Sequence, residues 1–153
     1  MAYAKIYAER RKIAITDTEA GTIYGSLVPA NAIDDNTATM YHANGANPWF
    51  QAHFDLASVS DVEVLNRRDC CRDRLENTVI SLWRDGTKVL DCGTITNVNV
   101  TSIEEADQTY TVNCGGELGD AVKMNGQDDI MNFAEIRVYT PVYTGRSNSI
   151  SLS

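Results

Sequence analysis

Short stretches in which apolar and polar residues alternate are the feature of this chain that most constrains its fold. Phe50, Ala52 and Phe54 alternate with polar neighbours, and so do Val62 and Val64. An alternation of period two places every second side chain on the same face of a β-strand. Strand-rich composition continues through residues 78–83, 98–103, 110–112 and 136–139. The pattern therefore predicts many short strands.

Turn residues separate these strands at close intervals. Arg84-Asp85-Gly86-Thr87 is typical of a tight turn, and residues 18–33 contain two glycines and a proline, which predicts mostly loop. Helical periodicity is scarce. Short strands with turns at this spacing predict an all-β protein, an antiparallel β-sandwich or jelly roll. Trp49 follows Asn-Pro, and such a large ring is predicted to fill the core.

Length and charge narrow the classes of function. The 153 residues suffice for one domain, which we assign to residues 1–143, and the polar residues 144–153 are predicted to be a tail or the start of a linker. A net charge of -8 argues against nucleic acid or an anionic membrane as a partner. No run of 18 apolar residues is present, so membrane insertion is not expected.

Four cysteines and the absence of a C-x-x-C pair favour two disulfides rather than a metal site. Disulfides are typical of oxidising compartments, so we expect an extracellular, secreted protein, although the first residues lack the apolar core of a signal peptide. Cys70 and Cys71 are adjacent. They can bond to each other, which strains the backbone, or each can pair with Cys92 or Cys114.

The segment around the adjacent cysteines is unusually basic. Four arginines fall within residues 67–74 of this acidic chain. Forked guanidinium groups donate several hydrogen bonds in one plane, which suits a ligand rich in acceptors. The alternative is a solvated loop in which arginines and aspartates pair with little effect on stability.

A second candidate site lies earlier in the chain, where oxygen-bearing side chains cluster. Asn31, Asp34, Asn36 and Thr39 stand in one short loop. Hard cations such as calcium bind clustered carboxylate and carbonyl oxygens. The alternative is an Asx turn that holds no ion.

The order of these residues resembles the signature of the F-type lectins, or fucolectins. His42 is followed by Arg67-x-Asp69 and, after four further residues, by Arg74. Supporting segments are NAIDDNT at 31–37, NPWF at 47–50, NRRDCC at 66–71 and AEIRVY at 134–139. The resemblance implies a discoidin-like, galactose-binding-domain-like sandwich that binds L-fucose.

The resemblance also implies a role for each residue of the sugar site. His42, Arg67 and Arg74 are expected to hydrogen-bond the sugar, and Asp69 is expected to orient the arginines. The implied disulfides are Cys70–Cys71, a rigid plate against the sugar, and Cys92–Cys114. Tyr24 and Tyr41 lie in candidate rim loops and are expected to shelter the sugar's methyl group.

A structural calcium ion is the implied cofactor. The expected ligands are the carbonyl groups of Asn31, Asn36 and Ala134 and the side chains of Asp34, Thr39 and Glu135. The ion would fix the loop that carries His42 to the last strand.

Three functions compete at this point. The first is a lectin whose partners are fucosylated glycans, acting either as a single chain or as a homo-oligomer. The second is a discoidin-like module for lipid, protein or another sugar. The third is an enzyme, which would need a free thiolate at Cys70 or Cys71 near a histidine. Because nothing marks a pair of catalytic carboxylates either, we expect no enzymatic activity.

Overall fold

The computed structural model describes residues 8–127 and 130–143, which form an all-β domain. The strands are β1 (Ala8–Lys12), β2 (Ile15–Ala20), β3 (Tyr41–His42), β4 (Trp49–Leu65), β5 (Val79–Arg84), β6 (Thr87–Thr94), β7 (Thr109–Asn125), β8 (Asn132–Phe133) and β9 (Glu135–Tyr143). Short 3₁₀ helices span Pro29–Ile33, Arg72–Leu75 and Ala106–Gln108. The all-β prediction is confirmed. The predicted tail, residues 144–153, lies outside the described residues.

Two strands of 17 residues, β4 and β7, organise the domain. They pair antiparallel at both ends, and the register shifts between His53 and Ala57 and again between Val59 and Asp61. Such irregularities bend a strand and increase its twist. The first half of β4 pairs with β2, and its second half pairs with β9. The bent β4–β7 pair therefore belongs to both layers of the sandwich, with β2 beside the first half of β4 and β9 beside its second half.

The inward faces of the two layers form one hydrophobic core. Phe50, Ala52 and Phe54 of β4 are buried together with Val62 and Val64 from its other half. The alternation in the sequence thus predicts the buried face of β4 correctly. The disulfide Cys92–Cys114 joins β6 to β7, as the family resemblance implies. A bridge that closes a loop of this length contributes roughly 3 kcal/mol to stability.

The structure corrects three details of the predicted fold. Residues 98–103, expected as strand, form a loop in which Val100 and Ile103 are exposed. Residues 18–20, expected as loop, belong to β2. Trp49 is only partly buried and lies on the outer face of β4, with the Lys123 ammonium 4.9 Å from its ring centre.

No helix in the described part of the chain is long and apolar enough to cross a membrane.

Candidate functional site

His42 sits at the centre of the candidate site, on a strand that several neighbours hold in place. Its strand β3 pairs with β8, and its backbone also exchanges hydrogen bonds with Tyr24 and Leu27 in the preceding loop. The residue is buried, with a relative exposure of 8%. Nδ1 lies 2.7 Å from the carbonyl oxygen of Ala43. Because a carbonyl only accepts, Nδ1 carries a proton, and in the neutral ring Nε2 is then an acceptor.

Arg74 faces this acceptor from another loop. Its Nη1 lies 3.4 Å from Nε2 of His42, a long hydrogen bond in which the guanidinium donates. Arg74 belongs to the 3₁₀ helix Arg72–Leu75, whose Leu75 is fully buried and anchors the turn. The pair therefore offers a donor and an acceptor side by side, which is what the hydroxyl groups of a sugar require.

The two tyrosines predicted at the rim behave differently. Tyr24 is 55% exposed, and its ring centre lies 5.0 Å from that of His42, so it forms an open apolar wall. Tyr41 is fully buried among Phe50 and Phe133, and its hydroxyl donates to the carbonyl of Thr22. Burial raises the pKa of Tyr41 to about 12. The rim position expected for Tyr41 is wrong, because the alternation of β3 directs its side chain inward.

Arg67 and Asp69 form a bidentate ion pair. Nε of Arg67 donates to Oδ1 of Asp69 at 2.6 Å, and Nη2 donates to Oδ2 at 3.2 Å. The hydrogen bond from Arg67 is the largest effect on the pKa of Asp69 and lowers it; burial opposes this effect, and the charge of Arg67 lowers the pKa further. Asp69 therefore stays ionised at neutral pH and accepts two hydrogen bonds from the Arg67 guanidinium.

Cys70 and Cys71 are bonded to each other, which settles the pairing that the sequence left open. Cys71 has a φ of 60°, in the left-handed region, and caps the 3₁₀ helix that carries Arg74. A residue other than glycine pays on the order of 1–2 kcal/mol in this region. The small ring formed by the disulfide holds the chain in that conformation between Arg67 and Arg74.

The buried side-chain amides of Asn66 and Gln108 hold the arginine loop, residues 66–75, in place by hydrogen bonds. The Asn66 amide donates to the carbonyl of Arg72 at 2.9 Å and to Oε1 of Gln108 at 3.3 Å. Gln108 in turn donates to the carbonyls of Asn99 and Ser102. Sequence reasoning gave these two residues no role. Their only local signal is that each is a polar residue at the end of a strand or short helix.

The oxygen cluster predicted for calcium assembles around Thr39. Its hydroxyl lies 2.5 Å from Oδ2 of Asp34, 2.9 Å from the carbonyl of Asn36 and 3.3 Å from the carbonyl of Asn31. The loop is also an Asx turn, since the backbone N–H of Asn36 donates to Oδ1 of Asp34. Both interpretations of the sequence are therefore compatible with the same loop geometry.

Glu135 completes the cluster from the start of β9. It is 99% buried, and its Oε1 has no hydrogen-bond partner. Burial, followed by the hydrogen bond with Asp34 and the charge of that neighbour, raises the pKa of Glu135 to about 8. Within residues 8–127 and 130–143 no three His, Cys, Asp or Glu side chains converge. A cation here would rely on carbonyl and hydroxyl oxygens as well, a donor set typical of calcium.

Comparison with known protein families finds a match over more than half of the chain. The family described as NedA-like, galactose-binding domain matches residues 31–124. The chain belongs to this family of galactose-binding-like domains. The match contains the oxygen-cluster loop, His42, the arginine loop and both disulfides, but it ends before Glu135.

Two fucolectins of Anguilla japonica are similar to the chain. Fucolectin-4 is 32% identical over 77 residues, 43% of this chain and 43% of that protein. Fucolectin-3 is 28% identical over 105 residues, 61% of this chain and 55% of that protein. The chain thus spans about half the length of these relatives. The matches confirm the resemblance to the F-type lectins that the motifs indicate.

A solved structure, a fucose binding module of Streptococcus pneumoniae, has the same fold. It superposes with a TM-score of 0.73 at 18% identity, over 85% of this chain and 95% of that one. The predicted discoidin-like, galactose-binding-domain-like sandwich is confirmed.

Proposed function

We propose that this chain is a lectin that binds L-fucose at the end of glycans. The observation that carries the proposal is the pairing of His42 with Arg74 beside the Cys70–Cys71 disulfide. Support comes from the similarity to the two fucolectins. The proposed partners are fucosylated glycans, and the disulfides favour a secreted protein.

Each side chain has a defined task in this proposal. Nε2 of His42 accepts a hydrogen bond from a sugar hydroxyl, while Arg74 donates to a neighbouring oxygen. Arg67, held by Asp69, supplies the second forked donor. Because both guanidinium groups are fixed before the sugar arrives, little side-chain entropy is lost on binding. The disulfide and Tyr24 offer apolar surfaces to the ring and the methyl group of a 6-deoxy sugar.

We also propose a structural calcium ion at the cluster of Asn31, Asp34, Asn36, Thr39, Ala134 and Glu135. The orphaned Oε1 of buried Glu135 is the observation that supports it, because a buried carboxylate oxygen without a cation or donor is costly. A bound cation would satisfy that oxygen and offset the repulsion between Glu135 and Asp34. It would also tie the start of β9 to the loop that leads into His42.

The proposed activity is binding rather than catalysis. All four cysteines are in disulfides, so neither Cys70 nor Cys71 can act as a thiolate nucleophile. His42 has one nitrogen bonded to a backbone carbonyl and the other facing a cation. Neither arrangement activates a nucleophile.

A second candidate is a module for a galactose-configured sugar or for a lipid surface. The description of the matching family names galactose. The exposed Ile23 and Tyr24, at 44% and 55%, resemble the apolar spikes of membrane-binding discoidin-like modules.

Competition binding on an immobilised fucosylated glycan distinguishes these candidates. We expect free L-fucose to displace the protein, free D-galactose to do so only at much higher concentration, and lipid vesicles to have no effect. Displacement by galactose as readily as by fucose, or by vesicles alone, would contradict the proposal.

A further inference from the structure

A second cavity adjoins the proposed fucose pocket. It encloses about 570 Å³ and is lined by residues 37–40, Arg67, Arg68, Asp69, Ile103 and Ala134. His42, Arg74 and the two adjacent cysteines do not line it. The Arg67–Asp69 ion pair therefore belongs both to the proposed fucose site, the first compartment, and to the lining of this cavity, the second compartment. A glycan that places fucose in the first compartment has room for its next residue in the second.

Arg68 distinguishes the second compartment chemically. The other three arginines of the loop are engaged: Arg67 with Asp69, Arg72 with the carbonyls of Arg68 and Val100, and Arg74 with His42. Among the described residues the Arg68 guanidinium makes no hydrogen bond, and its contact with the Glu105 carboxylate is 3.9 Å long. Its donors are thus available to a ligand.

The charge of the cavity follows from these pairings. Asp69 neutralises Arg67 at hydrogen-bonding distance, so it leaves the charge of Arg68 uncompensated within the lining. Glu105 stands outside the lining and is half-exposed, where an ion pair of this length is weak. A planar guanidinium with spare donors matches carboxylate and sulfate groups.

Part of the cavity lining is apolar. Ile103 is 64% exposed, and Met40 and Ala38 contribute carbon surface from the oxygen-cluster loop. Exposing such a side chain at the mouth of a cavity has a cost that a packed ligand would remove. A pyranose ring has an apolar C–H face that can lie against it while polar substituents turn toward Arg68.

We infer that the second compartment binds the sugar residue next to fucose, and that Arg68 selects a residue bearing a negatively charged substituent. The inference rests on the proposed fucose site and defines its ligands as acidic fucosylated glycans. Sulfate esters and sialic acid carboxylates share the required chemistry.

Calorimetry with matched glycans tests the inference. The probes are free L-fucose, a neutral fucosylated trisaccharide, and its sulfated and sialylated counterparts. We expect the parent to bind at least one acidic glycan about five- to tenfold more tightly than the neutral one. Arg68→Gln should abolish this preference and leave the affinity for free fucose within about twofold, while Arg84→Gln, at the remote β5–β6 turn, should change neither. The preference should also shrink at high salt.

The outcomes separate the inference from the function on which it rests. Equal affinity of the parent for neutral and acidic glycans, or a preference that survives Arg68→Gln, would overturn the inference while fucose binding stands. Failure of the parent to bind any fucosylated probe would refute both. A preference for only the sulfated or only the sialylated glycan supports the inference and identifies the source of the charge.

Discussion

At the scale of single residues, His42 and Arg74 divide the polar roles of the candidate pocket. A backbone carbonyl fixes a proton on Nδ1 of His42, so Nε2 accepts in the neutral ring, and Arg74 can only donate. The long 3.4 Å contact between them leaves each able to form a shorter bond with a hydroxyl that enters. This pair is more informative than the charge cluster alone, since surface arginines usually contribute little.

Arg74→Ala is expected to abolish measurable binding of free fucose. The change removes charge-assisted hydrogen bonds that each contribute roughly 1.5–3 kcal/mol, which is decisive for a monosaccharide. Calorimetry measures the effect, and circular dichroism checks the fold. Arg84→Ala, at the exposed β5–β6 turn, serves as the control and should bind like the parent. Equal affinity of Arg74→Ala and parent would remove Arg74 from the pocket.

Tyr24→Ala is expected to weaken fucose binding about three- to tenfold, because an exposed aromatic wall beside His42 is lost. Tyr24→Phe keeps the ring and should retain the parent's affinity. Titration of both variants with fucose gives the comparison. A loss in the phenylalanine variant equal to that in the alanine variant would mean that the hydroxyl, and not the apolar surface, contacts the sugar.

At the scale of elements, two loops form the site and each is fixed by a different device. The arginine loop is held by the buried Asn66 and Gln108 amides and by the Cys70–Cys71 ring. The oxygen-cluster loop is held by an Asx turn and by the hydroxyl of Thr39. The contacts of the first loop constrain the orientation of the arginines. The contacts of the second loop bring together oxygen atoms that are suited to a cation.

Mild reduction is expected to open Cys70–Cys71 before Cys92–Cys114. Both adjacent cysteines are partly exposed, whereas Cys114 is fully buried, and access governs thiol exchange. Fucose affinity should then fall while the far-ultraviolet β-sheet signal persists. Peptide mapping after alkylation identifies the opened bridge. A double Cys70→Ser, Cys71→Ser variant should be indifferent to the reductant, and undiminished binding by this variant would show that the disulfide is dispensable.

Glu135→Gln is expected to change stability in opposite directions with and without calcium. In chelator at neutral pH, burial keeps the Glu135 carboxyl protonated, which costs stability because the same group is ionised in the unfolded chain. The neutral amide avoids this cost, so the variant should unfold at higher temperature than the parent. In saturating calcium the parent gains stability by mass action, about 2.7 kcal/mol at a concentration 100 times the dissociation constant, and should overtake the variant.

Thermal melting of the parent and of Glu135→Gln, each in chelator and in calcium, measures this reversal in the order of their melting temperatures. Glu117→Gln, an exposed position on β7, is the matched control and should respond to calcium as the parent does. If calcium and chelator leave the parent's melting temperature unchanged, the Asx turn alone explains the cluster.

At the scale of the whole molecule, period-two alternation was enough to predict the fold class and the buried face of β4. It could not predict that β4 and β7 each continue for 17 residues, because register shifts interrupt the alternation where the strands bend. Residues 98–103 were wrongly predicted as a strand for a different reason. Val98 is buried beneath a loop that Gln108 and Asn99 fix, so its apolar character reflects packing and not a strand.

Only those parts of the candidate site that belong to sequence motifs could be predicted from the sequence. The order of His42, Arg67, Asp69 and Arg74 defined the candidate pocket, and the family resemblance implied the two disulfides that the structure contains, Cys70–Cys71 and Cys92–Cys114. Tyr41 was misplaced because its side-chain direction depends on β3, a strand of two residues that no periodicity reveals. The second cavity beside Arg68 joins segments far apart in sequence, and only their three-dimensional proximity discloses it.

A crystal structure of the protein with bound L-fucose tests the central claim most directly. The account predicts one sugar per chain, within hydrogen-bonding distance of Nε2 of His42 and of the guanidinium groups of Arg67 and Arg74, with its ring or methyl group against Cys70–Cys71. Density for fucose at any other surface, or an empty pocket at saturating sugar in a lattice that leaves the pocket open, would contradict it.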